Sequence, residues 1–246
     1  MMSRLLWSCY VIVTVWISGV LSNTLPGDGP VLFVGIKALL FLPVCIYLYR
    51  SIRLPDGWKH GPWDRKLLLL FAGWFFLFVG LRFAVDNIEI SFTLLAYAVV
   101  TTLVMVALEE LIFRGITFSK GGGGASIRGK QYGSSLLFAL LHAFNLLYTG
   151  NLGETVHQMV LAFGMGMFLS SVYLRYGRIL YPIALHFMVN VVPEYKMLLH
   201  RPAIHWSSLS NYNYTLDERV LFSLVTCIVL TVVAHSVLPG KRLPQS

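Results

Sequence analysis

About eight stretches of this chain are long and apolar enough to cross a bilayer: roughly 5–22, 31–49, 67–85, 92–116, 134–150, 157–174, 179–199 and 219–238. A hydrocarbon layer of about 30 Å needs some 20 residues of helix to span it. Backbone N–H and C=O groups find no partner in lipid, so each stretch must satisfy its own hydrogen bonds and is expected to be a helix. The expected fold is therefore all-α: a polytopic transmembrane helical bundle forming a single membrane domain over residues 1–246. Composition agrees, because only 12% of the residues are charged, against about a quarter in a soluble domain. There is too little polar surface to dissolve such a chain in water.

The net charge of +8 does not point to nucleic acid, because the basic residues are not gathered on one domain. They occupy the short connections. Arg4 precedes the first run, and Arg50, Arg53, Lys59, Arg65 and Lys66 lie between the second and third. Lys120, Arg128 and Lys130 follow the fourth, Arg175 and Arg178 follow the sixth, and Lys241 and Arg242 follow the last. The intervening loops are poorer in base, with Asp28 in 23–30 and Glu154 in 151–156. Positive charge is retained in the cytoplasm, so eight spans with both termini inside fit the alternation. An alternative makes the first run a signal peptide, with Arg4 before it and Ser22 at the cleavage point. The four glycines at 121–124 read as a flexible cytoplasmic linker, since no Gly-Lys-Ser/Thr follows to cradle a phosphate. Cys9, Cys45 and Cys227 stand singly in apolar runs and suggest neither a disulfide framework nor a zinc site.

Ionisable groups at membrane depth are costly and mark function by default. The fourth run contains Glu109-Glu110-x-x-x-Arg114. Glu110 and Arg114 are one turn apart on one face and can pair. Glu109 is rotated by about 100°, so one carboxylate can be pinned while its neighbour faces a cavity. The fifth run contains Phe138-x-x-x-His142, and the seventh His186-x-x-x-Asn190, again one turn apart. Each motif alone also has a plain reading: a snorkelling ion pair, or a polar clasp between helices. Depth argues for more. Counted from the expected cytoplasmic ends, Glu109, His142 and His186 lie about seven, eight and seven residues in, or ~10–12 Å. Three accidental clasps have no reason to share a plane, so a convergent site is expected.

The chemistry available to that site is acid–base work on water. There is no His-Glu-x-x-His, no Gly-x-Ser-x-Gly and no cysteine near the three motifs. A shielded carboxylate can take a proton from water while a histidine holds or relays it. A second histidine and an asparagine can donate to a developing oxyanion. Amide hydrolysis needs this set of roles.

Taken together, in this order and on separate membrane helices, the three motifs resemble the CPBP family, the type II CAAX prenyl endopeptidases and their bacterial relatives, also called Abi proteins. The resemblance covers roughly residues 90–195, the expected catalytic core. It implies an intramembrane glutamic protease with no cofactor, in which Glu109 is the general base that activates water, assisted by His142. It implies that His186 and Asn190 stabilise the oxyanion, and that Glu110, Arg114 and Phe138 support and shape the site. A divalent metal such as zinc, held by two His and two Glu, is the alternative chemistry. The implied partners are the lipid bilayer and a membrane-associated protein or peptide, such as a prenylated tail or a C-terminal sorting signal, cleaved near the cytoplasmic side. The expected location is the bacterial plasma (inner) membrane. Two other classes stay open: a non-catalytic bacteriocin-immunity or scaffolding protein, and an ion-coupled transporter. The second lacks paired broken helices and repeat symmetry, and Gly164 and Gly166 read as close-packing positions.

Overall fold

The computed structural model describes Tyr10 and residues 29–51, 65–80, 90–119, 126–146, 150–199 and 216–237. Every regular element among the described residues is helical. In chain order these are α1 (Gly29–Ser51), α2 (Arg65–Phe75), α3 (Phe92–Glu110), α4 (Ile127–Leu141), α5 (Leu152–Tyr176), α6 (Leu180–Leu199) and α7 (Leu216–Val237). Helix α2 continues as a π-helical segment, Phe76–Gly80, and α3 as another, Leu111–Ile116. A 3-10 turn, His142–Asn145, follows α4. Apart from Tyr10, the expected span at 5–22 lies outside the described residues, and so does the glycine linker at 121–124.

Among the described residues, two helices, Phe92–Ile116 and Leu152–Tyr176, are long and apolar enough to cross a membrane. They coincide with the expected fourth and sixth runs. The fifth run differs from expectation: the helix begins at Ile127, capped by Ser126, whose side chain accepts a hydrogen bond from the Gly129 amide. Its first turns carry Arg128 and Lys130, so the apolar part of the helix still begins near Ser134. Hydropathy marks where the chain enters lipid, whereas the cap marks where the helix starts. Helix α5 is closed at both ends by local chemistry. Asn151 accepts from the Glu154 amide at the start, and Gly177 adopts φ 65° at the end, a left-handed conformation that suits glycine.

The chain divides into two compact units. The first gathers α1, α2, α3 and α6, with α3 packed on α1 and α6. Cys45 Sγ donates to the Val104 carbonyl at 3.5 Å and ties α1 to α3. At one end, Ala98 packs with Tyr195 and Leu198, and the Ser91 amide donates to the Tyr195 hydroxyl at 2.7 Å. At the other, Glu110 meets His186. Rising residue numbers on α3 thus meet falling ones on α6, so the two helices run antiparallel. Trp74 Nε1 donates to the Leu185 carbonyl at 2.9 Å and holds α2 against α6 one residue before His186.

The second unit packs α4 and α7 on α5. Small residues permit the approach. A Cβ added at Gly164 would fall 2.8 Å from the Cys227 Cα of α7, and one at Gly166 would fall 2.9 Å from the Ser135 Cα of α4. Gln131 Nε2 donates to Ser171 Oγ at 2.7 Å and to the Met167 carbonyl at 3.0 Å, a buried polar link between α4 and α5. Cys227 and the buried Cys45 are both free thiols. Large apolar side chains stand exposed along α7, among them Leu221, Phe222, Ile228 and Val232. Such a surface is costly in water and acceptable to hydrocarbon.

Candidate active site

The first unit brings Glu109, Glu110, Arg114, His186 and Asn190 together. Glu110 ends the α-helical part of α3, and Arg114 lies one turn later in the π segment. Both side chains are fully buried, and Arg114 Nη1 donates to Glu110 Oε1 at 2.9 Å. The same oxygen receives His186 Nδ1 from α6 at 2.8 Å. Since a carboxylate only accepts, Nδ1 carries a hydrogen, and the tautomer question reduces to Nε2. Asn190 Nδ2 sits 3.0 Å from that nitrogen, one turn along α6. An amide can present either its nitrogen or its oxygen, so it satisfies a neutral ring by donating and a protonated ring by accepting. The result is a continuous chain from Arg114 through Glu110 and His186 to Asn190.

Glu109 has a different environment from its neighbour. Its Oε2 lies 3.7 Å from His186 Nε2, which is ion-pair range but longer than a hydrogen bond. Its side chain is 19% exposed, against 0% for Glu110. The exposure opens into a cavity of about 280 Å³ lined by Thr101, Thr102, Met105, Val106, Glu109, Asn190, Pro193 and Glu194. The hundred-degree step between successive helical residues produces this division. One carboxylate turns inward to the arginine, and the other faces open space.

His142 and Phe138 belong to the second unit. His142 Nδ1 donates to the Phe138 carbonyl at 2.9 Å, which leaves Nε2 as the acceptor nitrogen of the neutral ring. The Phe138 ring meets the imidazole edge-on, with centroids 4.9 Å apart. Phe138 thus orients His142 twice, through its backbone and through its ring. Among the described residues no group of three or more His, Cys, Asp or Glu side chains is arranged to hold a metal ion.

Several cavity-lining residues did not stand out in the sequence. Thr102 lies seven residues before Glu109 on α3, and Glu194 lies four after Asn190 on α6. Extending the His186-x-x-x-Asn190 spacing by one more turn reaches Glu194, so a signal for it existed.

The buried carboxylate–histidine–amide chain lies beside a cavity with a partly polar lining, and the same part of the chain matches one known family. Residues 91–192 match the family model described as type II CAAX prenyl endopeptidase Rce1-like. This segment is therefore similar to the CAAX endopeptidases that the family model describes. No curated protein and no solved structure matches the chain.

Proposed function

We propose that the chain is a glutamic-type intramembrane endopeptidase in which Glu109 activates the attacking water. One observation carries this reading: two adjacent carboxylates have different partners. Glu110 is occupied by Arg114 and His186, while Glu109 faces the cavity. A general base must reach the proton that it abstracts and must not be consumed by a structural ion pair. Of the two, Glu109 meets both conditions.

His186 and Asn190 are the oxyanion donors in this scheme. Nδ1 is committed to Glu110, so donation to an oxyanion falls to Nε2, which requires the ring to hold both protons. Asn190 adds an amide N–H beside Nε2. Preorganised donors of this kind contribute on the order of 3 kcal/mol each when charge develops on the carbonyl oxygen. His142, held by Phe138 with Nε2 as its acceptor nitrogen, is assigned to assist the water, on the family resemblance. No cofactor enters the scheme.

The substrate is proposed to be a membrane-associated protein or peptide tail, cleaved toward the cytoplasmic side of a plasma membrane. The loop charges support that side, with both termini in the cytoplasm. The test is cleavage of a panel of lipid-anchored peptides by purified protein in vesicles, comparing the parent with Glu109→Ala, His142→Ala and His186→Ala. Loss of a general base should lower the rate by about 10²–10⁴. Cleavage that survives Glu109→Ala in a folded protein would end the proposal.

A further inference from the structure

Thr101 and Thr102 are neighbours on the α3 wall of the cavity, and both are buried. Their hydroxyls are bonded differently. Thr101 Oγ1 donates to the Tyr97 carbonyl at 2.9 Å and lies 3.2 Å from the Ala98 carbonyl, the ordinary arrangement for a helical threonine. By the same rule Thr102 would use the Ala98 carbonyl, four residues back. Its Oγ1 instead makes no hydrogen bond among the described residues. Thr102 as a whole is 4% exposed, so bulk solvent does not serve that hydroxyl. A buried hydroxyl without a partner is unfavourable unless something else supplies one.

An occupant of the cavity can supply it. The space measures about 280 Å³, just below the usual range for small-molecule sites, which suits a side chain better than a whole cofactor. Met105, Val106 and Pro193 give it an apolar lining. Glu109 borders the same space, seven residues or ~10 Å along α3 from Thr102. A helical threonine has two accessible χ1 rotamers, so the hydroxyl can turn to an occupant without any movement of the helix. It can donate and accept, but it carries no charge. It therefore completes the bonding of a neutral polar group, whereas it does not compensate an ion among apolar side chains. The Glu109 carboxylate adds repulsion against an anion.

We propose that this cavity is a substrate subsite for a neutral hydrogen-bonding side chain (threonine, asparagine or glutamine), with Thr102 as its specificity-determining residue. The proposal rests on the endopeptidase reading above. The apolar body of the substrate side chain lies against Met105, Val106 and Pro193, and its hydroxyl or amide bonds Thr102 Oγ1. Selectivity follows from what is left unpaired. Valine in place of threonine, or methionine in place of glutamine, fills a similar volume but leaves the Thr102 hydroxyl without a partner. Thr102 meets the substrate away from the reacting atoms, so it acts on binding and leaves water activation to Glu109.

The experiment measures binding and cleavage separately, using the full chain in lipid vesicles. The probes are fluorescent lipid-anchored peptides in which each position in turn carries Thr or Val, and Gln or Met. At the favoured position the polar member of each pair should bind about tenfold more tightly than its apolar counterpart. Thr102→Val should abolish that preference and Thr102→Ser should keep it, with selectivity at the other positions unchanged. A hydroxyl without a structural partner also predicts that Thr102→Val, free of peptide, resists SDS unfolding at least as well as the parent. A Thr102→Val protein that fails to fold, or unfolds more readily, shows that the hydroxyl already has a structural use and overturns the inference. Equal binding of the paired peptides to the parent overturns it too, and is the result expected if water alone fills the cavity. So does a polar preference that survives Thr102→Val. Cleavage by the parent and Glu109→Gln tests the other reading independently. Glu109-dependent cleavage without the polar preference removes the subsite alone, and polar-selective binding without such cleavage removes the protease alone.

Discussion

The buried pair of Glu110 and Arg114 makes the most quantitative prediction. Both side chains are fully buried and 2.9 Å apart. At an effective dielectric near 20, Coulomb attraction at that separation is about 6 kcal/mol, most of it offset by the cost of removing both charges from water. The intact pair is therefore close to neutral for stability, but either partner left alone is not. Arg114→Met leaves the shared Glu110 oxygen with the His186 Nδ1–H as its donor. That donor limits the damage, so the cost should sit near the lower end of the range for broken buried pairs, about 3 kcal/mol. Glu110→Gln leaves a buried guanidinium and should cost about 3–5 kcal/mol, although the new amide oxygen still accepts from His186. The double substitution removes both charges while preserving volume and that acceptor, so it should be more stable than either single variant. The coupling should be about 2–4 kcal/mol. SDS-driven unfolding of the purified protein in mixed micelles, followed by circular dichroism, supplies the four free energies. Single costs that simply add, to within about 0.5 kcal/mol, would refute the reasoning, because independent sites behave that way.

Three further outcomes follow from the same geometry. Asn190→Ala should lower kcat by about 10²–10³ with little change in KM, since an oxyanion donor acts in the transition state; steady-state kinetics on a cleaved peptide decide this. Gly164→Ala should cost about 1–3 kcal/mol, because its Cβ would fall 2.8 Å from the Cys227 backbone of α7; the same unfolding assay, with the mild Cys227→Ala as a control, measures it. Treatment with EDTA should leave cleavage unchanged, and a complete loss that zinc restores would replace the water-activating carboxylate with metal chemistry.

What the sequence reveals here depends on how far apart the interacting residues lie. Pairs within one helix are legible because about 3.6 residues make a turn. The spacing of Glu110 and Arg114 gives their ion pair, and that of His186 and Asn190 gives their hydrogen bond. The divergence of Glu109 from Glu110 is legible for the same reason. The bond from His186 to Glu110 crosses 76 positions of sequence and depends on how α3 and α6 pack. Trp74 contributes to that packing by holding the Leu185 carbonyl, and neither residue carries a catalytic signature. Caps are local yet easily missed in a membrane protein, where hydropathy dominates the reading. Ser126 starts α4 among basic residues, well before the apolar run that announces the helix.

The cavity lies beyond the reach of motif reading for a related reason. Thr102 and Glu194 belong to α3 and α6 and gain meaning only when antiparallel packing sets them on one wall, away from Glu109. A motif records residues at a fixed spacing in one helix, whereas a cavity lining records residues that share a space. Helices α3 and α6 form both the Glu109–Glu110–His186 cluster and the cavity lined by Thr102 and Glu194. Substitutions at Asn190 should therefore act on kcat rather than on binding, because its amide sits beside His186 Nε2.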